Sequence, residues 1–136
     1  MDGKIRCSWC KDDTLFKDYH DNEWGIPVFD DQKLFEILTL EIFQAGLSWE
    51  IILRKRKRLI EAFDNFDFKK IANYDNKKIH SLMKKRGIVR NKLKISATIS
   101  NANCVLKIQK TEGKFYNYIN KLILKNQNKL SKESLF

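Results

Sequence analysis

Glu41-Ile42-Phe43-Gln44-Ala45-Gly46-Leu47-Ser48-Trp49 is the stretch on which the reading of this chain turns, because it holds the end of one helix, a turn and the start of the next. Leu34, Leu38, Glu41 and Ala45 recur at the spacing of a single helical stripe. The stripe is apolar apart from Glu41 and is expected to face the core, where an unpaired carboxylate costs several kcal/mol. Gly46 breaks the helix, and Ser48 suits the N-cap of the helix that Trp49 opens. Two readings of Glu41 stand together. It is a buried side chain answered by backbone amides or a lysine, or it is a carboxylate that, beside an indole, hydrogen-bonds and stacks on one flat polar ligand.

Outward from this stretch the pattern stays helical. Asp30 or Asp31 caps the helix that reaches Glu41, and Asp13 caps a short helix carrying Leu15, Phe16 and Tyr19 that ends near Gly25. Trp49, Ile52, Leu53, Leu59, Ile60 and Phe63 keep a helical period through the basic run Arg54-Lys55-Arg56-Lys57-Arg58, part of which is solvated surface. Asp67 and Asp75 are further N-caps, the second for a helix through Ile79, Leu82 and Met83. Gly87 ends that helix, and Ile95, Ile99, Ala102 and Leu106 begin another after a short connection. Phe115, Tyr118, Ile119, Leu122 and Ile123 form a last amphipathic helix. With no useful strand alternation and a single proline, the fold class is all-α. Residues 1–124 read as one helical domain, and 125–136 as a polar, frayed tail.

The 136 residues suit one domain, and 43% hydrophobic with 12% aromatic residues say that it is globular. No apolar run reaches the roughly 20 residues of a membrane span and the N-terminus has no signal-peptide core, so the expected compartment is the cytoplasm, with no membrane partner. Three cysteines, an odd number, argue against a disulfide framework. The net charge of +10 favours a polyanion, nucleic acid first, although a lysine-rich solvated surface gives the same figure.

Two smaller signals point the same way. Cys7-Ser8-Trp9-Cys10 with His20 offers three potential zinc ligands, one short of a closed structural site; free thiols and a core histidine account for them equally well. The turn around Gly87 joins two helices closely enough to be a helix-hairpin-helix, whose amides and second helix N-terminus would hold a phosphate beside Arg86, Arg90 and Lys92. An ordinary αα-hairpin is the alternative, and Val89 stands where nucleic-acid-binding versions often have a second glycine.

Tyr19-His20-Asp21-Asn22-Glu23-Trp24-Gly25-Ile26-Pro27, the Glu41–Trp49 stretch, Phe63-Asp64-Asn65-Phe66-Asp67 and Arg86-Gly87-Ile88-Val89-Arg90-Asn91-Lys92-Leu93-Lys94-Ile95 together closely resemble the bacterial DNA-3-methyladenine glycosylase I family, in the same order. The resemblance covers nearly the whole chain. It implies a helix-hairpin-helix DNA glycosylase fold and a base excision repair enzyme that flips 3-methyladenine out of alkylated double-stranded DNA and hydrolyses its N-glycosidic bond, without a lyase step. It further implies Glu41 as the catalytic carboxylate, Tyr19, Trp49, Trp9, Phe16 and Gln44 as base-binding residues, and Arg86, Gly87, Ile88, Arg90 and Lys92 as the contacts to the DNA backbone. Cys7 and His20 match two of the four ligands of a structural Zn2+. Family members carry the second ligand pair on a C-terminal segment without a counterpart here, so the chain reads as C-terminally truncated, and Phe16 stands where relatives can carry a tyrosine. The resemblance thus leaves three readings: a monomeric glycosylase, a catalytically impaired DNA-binding remnant, and half of a split glycosylase that needs a complementing C-terminal chain.

Overall fold

The computed structural model describes residues 2–133, with side chains to residue 129, and among these no strand occurs. Seven α-helices follow in order among the described residues: α1 (Thr14–Asn22), α2 (Asp31–Gln44), α3 (Trp49–Ala62), the one-turn α4 (Phe68–Ile71), α5 (Asn76–Lys84), α6 (Lys92–Glu112) and α7 (Phe115–Glu133). Single 3₁₀ turns stand at Ser8–Cys10 and Asp64–Phe66. None of the described helices is long and apolar enough to cross a membrane.

The starts of the helices obey local rules. Asp13, Asp30, Ser48, Asp67, Asp75 and Asn91 each accept a first-turn amide through the side chain, at 2.9–3.2 Å, satisfying a donor that the helix cannot pair itself. Asp31 does something else. Its carboxylate accepts the backbone N–H groups of Phe115 and Tyr116 at 2.9 and 3.0 Å, and the Gln109 side chain at 2.8 Å. It therefore caps α7 from the start of α2, far away in sequence.

α6 lies at the centre, packed against α2, α4, α5 and α7, while α2 also packs on α3. Phe35, Phe43, Phe63, Phe66, Leu40, Ile52, Leu59, Ile71, Leu82, Ile95 and Val105 are fully buried between them. Ring edges organise this core: Phe43 meets Phe63 edge-on at 5.8 Å, and Phe63 stacks on Phe66 at 5.7 Å. The stacking needs an unusual turn, since Asp64, Asn65 and Phe66 all have positive φ, at 51°, 57° and 56°. The left-handed region costs about 1–2 kcal/mol per residue with a Cβ. The Tyr74 hydroxyl donates to Asp64, Gln32 Nε2 donates to the Asn65 carbonyl, and the burial of Phe66 adds to the compensation.

Three expectations need correction. The buried face of α2 is Phe35, Glu36, Thr39, Leu40 and Phe43, so Glu41 is exposed and the buried carboxylate of this helix is Glu36. On α6 the innermost positions are Ile95, Thr98, Ala102 and Val105, with Ile99 and Leu106 at the flanks; Thr98 is tolerated there because its hydroxyl donates to the Lys94 carbonyl at 2.8 Å. The stretch from Lys125, read as a frayed tail, continues α7 to Glu133, since no glycine or proline interrupts a run of adequate helix formers; residues 134–136 of the expected tail lie outside the described residues.

The long-range cap gives a stability prediction. Although burial pushes the Asp31 carboxyl upward, the donors from Gln109, Tyr116 and Phe115 hold it below the usual carboxylate range. A carboxylate with a lowered folded pKa contributes stability that is present above its unfolded value of about 3.9 and lost as the pH falls through the folded value. Asp31→Ala is expected to destabilise the fold by about 1–3 kcal/mol at neutral pH. In urea titrations the gap between Asp31→Ala and the parent should narrow below about pH 4.

Candidate functional site

Four aromatic rings arrive at one place from four local structures. Trp9 comes from the 3₁₀ turn, Tyr19 from the last turns of α1, Trp24 from the turn that closes α1, and Trp49 from the first position of α3. Trp9 lies 6.1 Å from Tyr19 and 5.6 Å from Trp24, and Tyr19 lies 5.5 Å from Trp49, between ring centroids. None of these pairs is parallel, the interplanar angles being 53°, 74° and 57°, so the rings do not close on one another as a stack. Together with Glu41 and Gln44 from the last turn of α2 they line an open cavity of ≈320 Å³. Such a volume suits a single flat heterocycle.

The N-terminal layer that carries these rings has only a small apolar cluster of its own, Cys10, Phe16 and Leu53. Ionic contacts fasten it to the body. Arg56 of α3, 15% exposed at the side chain, donates to both oxygens of Glu23 at 2.6 and 2.7 Å and through Nε to Glu36 at 3.3 Å. Lys33 adds a bond to Glu36 at 2.8 Å. Arg56 holds the Glu23 carboxyl below the usual range. Because the Glu23 and Trp24 amides both donate to the Tyr19 carbonyl, at 2.9 and 3.0 Å, the ion pair also fixes the segment bearing two of the rings. Burial pushes the Tyr19 phenol up, and the negative charges of Glu41 and Glu23 push it further. Tyr19 is therefore a neutral hydroxyl in the neutral pH range. The indole N–H of Trp49 is buried without a hydrogen-bond partner.

Of the residues named from the sequence, Glu41, Tyr19, Trp49, Trp9 and Gln44 all line this cavity. Phe16 does not. It is buried beneath and meets Trp9 edge-on at 6.1 Å, so it supports a wall instead of forming one. Glu41 reaches the cavity from the solvent side and needs no buried partner. Trp24, 53% exposed, was missed as a site residue; its signal was an aromatic in the glycine turn directly after α1.

The zinc expectation fares differently. Cys7 is exposed, Cys10 is buried with its thiol pushed up by burial, and His20 Nδ1 pairs with Asp21 at 3.0 Å, which leaves Nε2 as its open nitrogen. Among the described residues no group of three or more His, Cys, Asp or Glu side chains is arranged to hold a metal. These residues by themselves do not fit a closed zinc site. A cleft of ≈380 Å³ beside Cys7 and Cys10 is lined mainly by charged and small residues and has no aromatic wall.

Away from the cavity, α5 and α6 are joined through Gly87, whose φ of 86° favours glycine. The Arg58 side chain crosses this glycine, and a Cβ there would run into it. Arg86, Arg90 and Lys92 are exposed around the turn and the N-terminus of α6. Ile88, named as a backbone contact, is buried in the core at 4% exposure, so its side chain is not a DNA contact.

Residues 9–135 match the sequence model of the methyladenine glycosylase family. The DNA-3-methyladenine glycosylase of Haemophilus influenzae is 44% identical over 114 residues, which cover 84% of this chain and 62% of that protein. The fold is also that of a crystal structure of 3-methyladenine DNA glycosylase I, with a TM-score of 0.80 and 41% identity over 85% of this chain and 63% of that one. A crystal structure of a variant of 3-methyladenine DNA glycosylase I in complex with 3-methyladenine matches with a TM-score of 0.80 and 35% identity, over 83% and 61%. The chain thus spans a little over three fifths of the length of these relatives. With a helical fold, an aromatic cavity and a family match that runs along almost all of its sequence, the chain belongs to the methyladenine glycosylase family.

Proposed function

We propose that this chain acts in the cytoplasm as a monofunctional DNA glycosylase that removes 3-methyladenine from alkylated double-stranded DNA. The observation that carries this reading is the convergence of Trp9, Tyr19, Trp24 and Trp49 with Glu41 and Gln44 on one cavity. A base inside a duplex is out of reach of any pocket, so the nucleotide has to be flipped out before it can be read. Methylation at N3 makes the adenine cationic. Electron-rich faces and a carboxylate at the rim favour that cation over the neutral base, by cation–π attraction and by charge.

The same cation makes the reaction easy to assist. As the bond between C1′ and N9 breaks, its electron pair goes to the base, which leaves neutral, and the sugar gains oxocarbenium character that Glu41 and the DNA phosphates stabilise. Water then supplies the new oxygen at C1′ and releases its proton to the solvent. The Gln44 amide and the Tyr19 hydroxyl, both on residues that line the cavity, would read the edge of the base. α5, its glycine turn and α6 serve as a helix-hairpin-helix, with Arg86, Arg90, Lys92 and the peptide groups of Gly87 and Ile88 on the phosphates. Cys7 and His20 would be two ligands of a structural zinc whose others come from outside the described residues, including from a complementing chain.

Excision from methylated duplex DNA tests the reading. Glu41→Gln keeps the size and removes the charge, and is expected to slow single-turnover release of 3-methyladenine by about 10²-fold or more while changing duplex affinity little. Equal rates for mutant and parent would remove Glu41 from the mechanism. Duplex binding by the parent without any excision would favour the second reading, a DNA-binding module without turnover.

The hairpin should grip all sequences alike. Arg90→Ala is expected to weaken binding to undamaged duplexes of any sequence and to reduce the slope of log K against log salt by about 0.9, the value for one phosphate contact. An unchanged slope would place this basic face in solvent.

A further inference from the structure

Lys94 stands in the first turn of α6, beside the basic residues of the hairpin, yet its side chain does not join them. Its half-buried ammonium crosses to the end of α2 and donates to the carbonyls of Phe43 at 2.9 Å and Ala45 at 2.5 Å. The last carbonyls of a helix have no partners within it and must find them elsewhere. Here Ile42 receives the Ala45 amide at 3.2 Å and Gln44 the Leu47 amide at 2.6 Å, which leaves Phe43 and Ala45 to Lys94. α2 has no basic residue in its own last turn, so Lys94 also supplies the positive charge that a helix C-terminus favours.

The pinned carbonyls sit between the residues that face the cavity. Glu41 and Gln44 precede or alternate with them, and Trp49 follows four residues after Ala45, at the far side of the Gly46 turn. One side chain therefore sets the carboxylate, the amide and the indole against the helix whose N-terminus meets the phosphates. We propose that Lys94 is a positioning residue: it couples the hairpin's hold on the DNA backbone to the geometry of the base cavity, and so controls excision without controlling DNA affinity. The inference rests on the glycosylase reading. Its scale follows from orientation, since misplacing reacting groups by about 1 Å costs on the order of 10²-fold in rate.

All three tryptophans of the sequence, Trp9, Trp24 and Trp49, line the cavity, so selectively excited tryptophan fluorescence reports on this site alone. The test uses the full chain with Lys94→Met, which keeps the stem and loses the donors, and Lys94→Arg, which restores donors able to span two carbonyls. Single-turnover excision by Lys94→Met should fall by about 10–100-fold. Quenching of its tryptophan emission by free 3-methyladenine should require at least about five times more base, while affinity for undamaged duplex and its salt slope stay as in the parent. Lys94→Arg should recover most of both losses. A reduced salt slope in Lys94→Met would make Lys94 a phosphate contact and overturn the proposal. So would unchanged excision and quenching, or a rate loss that merely follows the folded fraction by circular dichroism and that Lys94→Arg does not repair. If the parent itself neither excises nor is quenched by 3-methyladenine, the glycosylase reading fails instead. If Lys94→Met does not fold, Lys94→Gln, with one donor group, is judged by the same outcomes.

Discussion

A guanidinium taken out of water has to be answered by carboxylates, and Arg56 is answered by two of them on two different elements. That requirement joins α3 to α2 through Glu36 and to the end of α1 through Glu23. The apolar cluster under the N-terminal layer is too small to fix α1 by itself, since its buried members are only Cys10, Phe16 and Leu53. Orientation of the layer then depends on directional bonds, which tolerate far less displacement than apolar contact does. The arrangement also explains why losing one member would harm more than the pair contributes: a charge left behind at 15% exposure has little water to turn to. The aromatic cavity inherits its shape from this junction, because Tyr19 and Trp24 flank Glu23 in the chain.

A second constraint acts from the opposite side. The segment Ala45–Ser48 is short, carries Gly46 at a φ of 81°, and must deliver Trp49 to the cavity while Glu41 and Gln44 remain on the helix before it. Arg56 holds one wall, and Lys94 holds the end of the helix that forms the other. The two cations come from α3 and α6, so the cavity lies between a layer fastened through α3 and a helix end fastened through α6. Neither contact is an exposed surface ion pair of the kind that adds little. Arg56 answers carboxylates that are largely out of water, and Lys94 answers the partly buried carbonyl of Phe43.

How much of this could be read in the sequence depends on the range of the cause. The caps at Asp13, Asp30, Ser48, Asp67 and Asp75 follow from residues at most three positions away, and the reading of all helices but the tail followed from them and from periodicity. Periodicity defines a stripe but not what faces it. Leu34, Leu38, Glu41 and Ala45 do share one side of α2, but only Leu34 among them packs against the core, while Leu38 and Glu41 lie along a groove beside α7, which is why Glu41 is exposed. Five of the six residues expected around the base came together, because the family resemblance carried information that spacing could not. Phe16 was named from the same resemblance and stands one layer deeper. The Asp31 cap on α7 and the Lys94 bridge join residues far apart in sequence, and no local rule marks an aspartate or lysine for such a task.

The left-handed turn at Asp64–Phe66 bears on which residues this position can accept over time. Glycine at residue 65 would relieve roughly 1–2 kcal/mol of backbone strain in the folded chain. It would also widen the conformational freedom of the unfolded chain, an opposing effect of about 0.4–1 kcal/mol. Asparagine is among the few residues with a Cβ that enter the left-handed region readily, which lowers its strain toward the size of the opposing effect, so selection for stability has limited hold on the choice between asparagine and glycine there. Phe66 has no such freedom, because the ring that stacks on Phe63 is itself part of the core. Along three adjacent residues sharing one backbone conformation, tolerance to substitution therefore changes sharply, and side-chain burial sets it more than the dihedral angles do.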